Sequence, residues 1–208
     1  MTDMTNTTIE YYNEHAGEFF DGTVNADMSE ILKRFEKLLP EGGCVLDAGC
    51  GSGRDSKHFL EQGFKVSAFD ASPEIARLAS EYVGIDVKCC TFEEFHETER
   101  YDGIWACASL LHVRERDIEA VMGNLAQALK PGGVIYISFK YGEGERQRGE
   151  RFFLDMDEDG IARIVGGAGL EMVSTFVTGD VRDGRDSEKW MNCIAIRRVN
   201  TREIGWWG

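Results

Sequence analysis

Proline is scarce in this 208-residue chain, with only three, so the 24 glycines do most of the punctuation. No apolar run approaches the roughly 20 residues of a membrane span. The N-terminus, Met1 to Glu10, lacks the basic-then-apolar pattern of an export signal. These absences lead us to expect a cytoplasmic protein. Basic residues are outnumbered, 23 Lys and Arg against 37 Asp and Glu, for a formal net charge of −14. Such a field opposes nucleic acid and anionic membranes, which need clustered Lys and Arg. The six cysteines (Cys44, Cys50, Cys89, Cys90, Cys107, Cys193) include no Cys-x-x-Cys pair, and the histidines complete no zinc spacing. They read as reduced thiols, with no metal site expected. No repeat, low-complexity segment or Pro/Ser-rich linker divides the chain, and its length favours one domain.

What is present is alternation. Met28, Ile31, Leu32, Phe35, Leu38 and Leu39 follow the helical i, i+3, i+4, i+7 spacing, which stops at Pro40 and Gly42-Gly43. Cys44 to Ala48 is then a short buried strand, and Arg54 to Gln62 a helix. Lys65 to Phe69 is the second strand. Ser72 caps a helix with Pro73 at its first position. Ile85 to Cys90, Gly103 to Cys107 and Val134 to Phe139 are further strands, with a helix over Ile118 to Leu129. Continuously apolar strands alternating with helices predict a parallel sheet covered on both faces. Past Asp155 a helix precedes two strands, Leu170 to Thr178 and Trp190 to Arg197, which predict an antiparallel end to the sheet.

The most informative stretch is Val45-Leu46-Asp47-Ala48-Gly49-Cys50-Gly51-Ser52-Gly53. An apolar strand ends in an acid, and a glycine-rich turn follows. A second acid, Asp70, ends the next strand. Ligands of open α/β sheets sit at such strand ends. Gly49, Gly51 and Gly53 let the backbone approach a ligand with no Cβ in the way. The nicotinamide fingerprint is G-x-G-x-x-G; here Arg54 occupies its last place. Asp47 would also repel a pyrophosphate by about 4 kcal/mol at contact in a medium of intermediate dielectric. The same acid would attract an ammonium group, and Arg54 with the helix N-terminus could hold a carboxylate. Asp70 can accept from both ribose hydroxyls, or it is simply a loop or capping acid. Ala71 and Ile75 are either an adenine wall or core. A ligand with an amino-acid end and a ribose fits S-adenosylmethionine.

Four motifs in order, Val45 to Gly53, Phe69-Asp70, Tyr101-Asp102-Gly103-Ile104-Trp105 and Leu129-Lys130-Pro131-Gly132-Gly133, resemble those of class I S-adenosylmethionine-dependent methyltransferases. Within that superfamily, Gly51 to Ser56 and the Ser138 to Phe153 segment resemble the small bacterial tellurite-resistance-type methyltransferases. The resemblance implies a three-layer Rossmann-like α/β fold with a seven-stranded, mostly parallel sheet and an antiparallel last strand. It implies residues 1–40 as a helical lid segment, 41–198 as the methyltransferase domain and 199–208 as a tail. By position, Asp47, Ala48, Gly49, Gly51 and Gly53 would surround the methionine part of the cofactor and Asp70 with Ala71 the nucleoside. Thr91 and Phe92 would meet the adenine; relatives often carry an acid there, and the Thr91 hydroxyl can bond the adenine amino group. Cys107, Ala108 and Leu110 would line the space near the sulfonium.

The implied reaction is in-line displacement of a methyl group onto a small-molecule acceptor, in which positioning supplies much of the rate. An oxygen or nitrogen acceptor also needs its proton removed. His112, in Leu110-Leu111-His112-Val113, is the best-placed base, or else a structural histidine in a helix-start loop. An anionic acceptor would need no base. The segment Tyr141 to Phe153 reads as a glycine-loosened loop whose Arg146, Arg148 and Arg151 hold an anionic acceptor, or as a solvated charged loop. Tyr11, Tyr12, Phe19 and Phe20 form an aromatic cluster; Tyr12 and Phe20 are expected at the acceptor, beneath a lid, with simple helix packing as the alternative. Trp206 and Trp207 fit no motif. An RNA methyltransferase is the competing enzyme, and a non-catalytic cofactor-binding regulator the competing class. A monomer or homodimer fits either.

Overall fold

In the computed structural model, residues 4–199 are described except 183 and 186. The described residues form seven helices: α1 (Met4–Glu14), α2 (Ala16–Thr23), α3 (Ser29–Glu36), α4 (Arg54–Glu61), α5 (Pro73–Val83), α6 (Glu115–Ala128) and α7 (Glu158–Gly167). The strands are β1 (Cys44–Ala48), β2 (Lys65–Asp70), β3 (Lys88–Cys89), β4 (Tyr101–Ala106), β5 (Leu129–Lys140), β6 (Gly144–Arg148), β7 (Arg151–Asp155), β8 (Leu170–Gly179) and β9 (Lys189–Arg197). A 3-10 turn spans Leu110–His112.

One sheet holds seven of these strands in the order β3-β2-β1-β4-β5-β9-β8. The ladders from β3 to β5 are parallel, and β9 runs antiparallel between β5 and β8. Strand order reverses around β1 and β4, and a crevice opens at such a switch point. The expected Rossmann-like α/β fold, with its antiparallel last strand, is what forms. One face of the sheet buries Ile104, Ile135 and Ile137 against α6 and α7, with Leu125 of α6 in the same cluster. On the other, Trp105 lies between Phe35, Phe59 and Tyr136, and this aromatic stack seats α3 and α4.

Three expectations change. The third strand is only two residues long, because the Val87 N–H is taken by the Ser80 hydroxyl of α5 instead of a ladder partner. The fifth strand begins earlier, at Leu129, which pairs with Tyr101. The segment expected as an irregular loop is a β-hairpin: β6 and β7 pair from Gly144–Asp155 to Arg148–Arg151. The consecutive Phe152, Phe153 and Leu154 are all buried in β7, and Arg114 ties β6 down through two hydrogen bonds to Glu145. Trp206 and Trp207 lie outside the described residues.

Candidate active site

A cavity of about 820 Å³ opens at the carboxyl ends of β1, β2 and β4. Its floor is the glycine turn. Gly49 and Gly51 sit in the left-handed region, at φ 71° and 54°. A Cβ on Gly49 would come within 2.5 Å of Ser109, which is fixed by donating to the Ala48 carbonyl at 2.7 Å. One on Gly51 would meet the Phe19 ring of α2 at 3.1 Å. The turn is therefore bare backbone with an aromatic residue laid across it.

Asp70 accepts the Gly51 N–H on one oxygen and the Ser72 N–H on the other, each at 3.0 Å. Each oxygen keeps a lone pair for a further donor. Burial raises its pKa, opposed by those backbone bonds. Asp47 is buried and accepts the Ser56 hydroxyl at 2.6 Å. Burial, and then the charge of Asp55, push its pKa up to about 7. A carboxyl held that way gains by meeting an ammonium group. Arg54 is clamped by Asp55 through two bonds of 2.7 Å, and Asp55 also accepts from Trp105 at 2.8 Å. Burial works against the Arg54 charge, but Asp55 outweighs it and raises its pKa. These groups suit a nucleoside with an amino-acid end: a diol acceptor, an anion for the amine and between them a backbone turn without side chains, with Phe19 packed against it.

The roof is the N-terminal helical region. Asn13 of α1 accepts from the Ser72 hydroxyl at 2.5 Å, and Thr8 accepts the Phe152 N–H at 3.0 Å. Helix α1 thus bridges the start of α5 and β7. Beneath it, Tyr12 packs edge-on against Phe19 and donates its hydroxyl to His112 Nε2 at 3.0 Å. His112 Nδ1 lies 2.7 Å from the Phe152 carbonyl oxygen, which can only accept, so Nδ1 carries the hydrogen. Burial lowers the His112 pKa to about 4, and the ring is neutral at pH 7.

Of the expected residues, Asp47, Gly49, Gly51, Arg54, Asp70, Ala71, Thr91, Phe92, Cys107, Tyr12, His112, Arg146, Arg148 and Arg151 line this cavity. Ala48, Gly53, Leu110 and Phe20 do not. Ala48 and Leu110 are fully buried in the core beneath it. A Cβ on Gly53 would meet Val83 at 2.5 Å, so that glycine lets α4 pack on α5. Phe20 packs edge-on against Tyr82, and Phe19 takes the expected place over the site. The seven-residue step from Tyr12 to Phe19 was the available signal. Burial pushes the Cys107 thiol up to about 12, and it is no nucleophile at pH 7. No group of metal-ligating side chains forms among the described residues.

The arginines divide. Arg146 pairs with Asp155, Arg148 with Glu188, and Arg182 with Asp180. Lys140 joins Asp180 and Glu188 over the Trp190 ring, a cluster that sequence spacing did not reveal. Arg151 has no carboxylate partner among the described residues; its guanidinium lies over Tyr11 at 4.7 Å and Phe153 at 5.4 Å.

Residues 20–175 match the family described as a methyltransferase domain. The chain belongs to that family. The methyltransferase domain is 32% identical over 127 residues to an N-terminal Xaa-Pro-Lys N-methyltransferase 1-B of Xenopus laevis, covering 54% of this chain and 57% of that protein. It is 34% identical over 116 residues to a ubiquinone biosynthesis O-methyltransferase of Bradyrhizobium sp. (strain ORS 278), covering 51% and 45%. The match thus spans about half the length of each relative. A solved Burkholderia thailandensis structure, 1,6-didemethyltoxoflavin-N1-methyltransferase with its acceptor and S-adenosylhomocysteine bound, superposes with a TM-score of 0.75 at 23% identity. It covers 93% of this chain and 87% of its own, a likeness of fold. The tellurite-resistance grouping is not distinguished by these likenesses.

Proposed function

We propose that this chain transfers a methyl group from S-adenosylmethionine to a small organic acceptor enclosed with it in the cavity, and that Arg151 holds an anionic group of that acceptor. When bound, the cofactor supplies a methyl group on a sulfonium, a leaving group that departs as a neutral thioether. Asp70 takes the ribose hydroxyls, Asp47 faces the amino end, and the Gly49 to Gly51 backbone runs along the methionine part. Ala71, Thr91 and Phe92 border the adenine, and Cys107 lies toward the sulfur. Arg54, committed to Asp55, contributes charge and its remaining N–H groups. Of the N-terminal segment, α1 acts as the lid, since it is docked on both sides of the opening, whereas α3 packs in the core.

The observation that carries this reading is the roofed volume. Small-molecule sites occupy about 300–1,000 Å³, so this one has room for a cofactor and a second small molecule, with α1 bridging its two sides. Arg151 is the cavity arginine without a carboxylate partner among the described residues, which supports an anionic substituent there. Binding tests the reading first. Calorimetry should show micromolar-range affinity for S-adenosylhomocysteine, and Asp70→Ala should weaken it at least tenfold, since hydrogen bonds to a charged group are worth about 1.5–3 kcal/mol each. Full affinity in that variant would overturn the ribose assignment.

A further inference from the structure

Both ring nitrogens of His112 are engaged, and this bears on which atom accepts the methyl group. Nδ1–H is spent on the Phe152 carbonyl, and the lone pair on Nε2 receives the Tyr12 hydroxyl. His112 therefore has no free nitrogen to offer an acceptor directly. Tyr12 does have something to offer. With its hydrogen turned to Nε2, its oxygen presents only lone pairs to the cavity it lines. A group in that state welcomes a donor, an O–H or N–H.

We propose that Tyr12 takes the acceptor's proton while passing its own to His112, so that the methylated atom is a hydroxyl oxygen or ring nitrogen that still carries hydrogen when it binds. This rests on the reading that methyl transfer happens in this cavity, and adds the proton's route and the chemical class of the reacting atom.

The arrangement is assembled from three elements. Thr8 and Tyr12 stand one turn apart on α1 and dock together, Thr8 on the Phe152 N–H and Tyr12 on His112. Phe152 of β7 is held at its N–H by Thr8 and receives His112 at its carbonyl. The relay exists only with α1 seated. The groups acting on Tyr12 are Arg151 of β7, through its charge and a side-chain hydrogen bond, Asp70 of β2, Tyr11 of α1 and Arg182. Burial raises the Tyr12 pKa, whereas Arg151 lowers it and eases release of the phenol hydrogen. Burial holds the free imidazole down, with Arg151 adding to it and the Phe152 bond opposing. The reaction changes that balance. The carbon–sulfur bond breaks with its electron pair left on sulfur, and an acceptor lone pair forms the new bond to carbon. The acceptor proton moves to the Tyr12 oxygen, and the Tyr12 proton moves to Nε2. One positive charge leaves the sulfur as one reaches the imidazole, so the cavity's net charge is unchanged. Imidazolium then loses its proton to water after product release. Tyr12 is the catalytic residue in this scheme, and His112 acts through it.

The test uses the full chain with two probe acceptors. Phenol keeps its hydrogen at pH 7, as tyrosine does with a pKa of about 10; pentafluorothiophenol is already a thiolate. In Tyr12→Phe, and separately in His112→Gln, the rate on phenol relative to the thiolate should fall by at least about 100-fold, the usual scale of proton-transfer catalysis. An unchanged ratio would overturn the relay, because a merely structural role would slow both probes alike. So would a wild-type protein that methylates the thiolate and never phenol. Nitrogen-15 spectra of the imidazoles decide the case if neither probe reacts. The His112 ring should be neutral at pH 7 with hydrogen on Nδ1 and an accepting Nε2 that Tyr12→Phe perturbs; hydrogen on Nε2 would refute the scheme. Binding of S-adenosylhomocysteine, expected within twofold of wild type in Tyr12→Phe, keeps the two ideas apart. If wild type fails to bind it, the proposed function falls and the proton route with it; if it binds, the ratio and the spectra judge the route alone.

Discussion

A carboxyl that is buried at a ligand site makes binding sensitive to pH, and Asp47 is such a group. Its pKa stands at about 7 through burial and the neighbouring Asp55 charge. Only the ionised form attracts an ammonium group, so binding there must expel the proton. Affinity for S-adenosylhomocysteine should therefore rise with pH, by at most tenfold per unit below about pH 7, and level off above it. Calorimetry between about pH 6 and pH 8, in buffers of different ionisation heat, would show the rise together with proton release. Asp47→Asn should flatten the profile and weaken binding at the upper end. A flat wild-type profile would remove Asp47 from the amino end of the ligand. At this scale the sequence was most readable where a residue's role is local. Asp47, Asp70, Gly49 and Gly51 are neighbours of a strand end, and their places follow from the turn itself. Phe19 against Phe20, and Arg151 against Arg146 and Arg148, could not be told apart, because each choice depends on a partner outside the local pattern: Tyr82 and Glu188 far along the chain, and Asp155 across a hairpin that the sequence did not reveal.

Elements were legible to the extent that periodicity and capping determine them. The Ser72-Pro73 start of α5 is built as expected, with the Ser72 hydroxyl accepting the Ile75 N–H. The β6–β7 hairpin was hidden because its first strand is charged and exposed, and it is held by Arg114 from another element. Gly53 shows the same division. Its place in the glycine turn suggested a ligand contact, and the packed α4–α5 pair reveals a steric one. Its φ is 76°, and a Cβ there would stand 2.5 Å from Val83, so Gly53→Ala should lose about 1–3 kcal/mol of stability. Urea unfolding would measure the loss as a lower midpoint at an unchanged slope. An unaltered midpoint would mean that α4 and α5 shift apart without cost.

The whole molecule carries a net charge of −14, and the cavity arginines do not reverse it, since most are paired with acids. RNA binding should be absent at physiological salt. Filter binding with a structured RNA would check this, and tight binding that weakens steeply with added salt would favour a nucleic-acid substrate. Among the described residues no helix is long and apolar enough to cross a membrane.

By itself the sequence determined the alternation of strands and helices, the antiparallel close of the sheet and the acid-flanked glycine turn. All of these depend on interactions within a few residues or on the pattern of apolar side chains along one element. Only the tertiary structure decided that α1 roofs the cavity, that Tyr12 occupies the free nitrogen of His112 and that Arg151 alone among the three hairpin arginines lacks an acidic partner among the described residues. Those features join residues as far apart as Thr8 and Phe152, and contacts across such separations are set by how the layers pack, which no local pattern records.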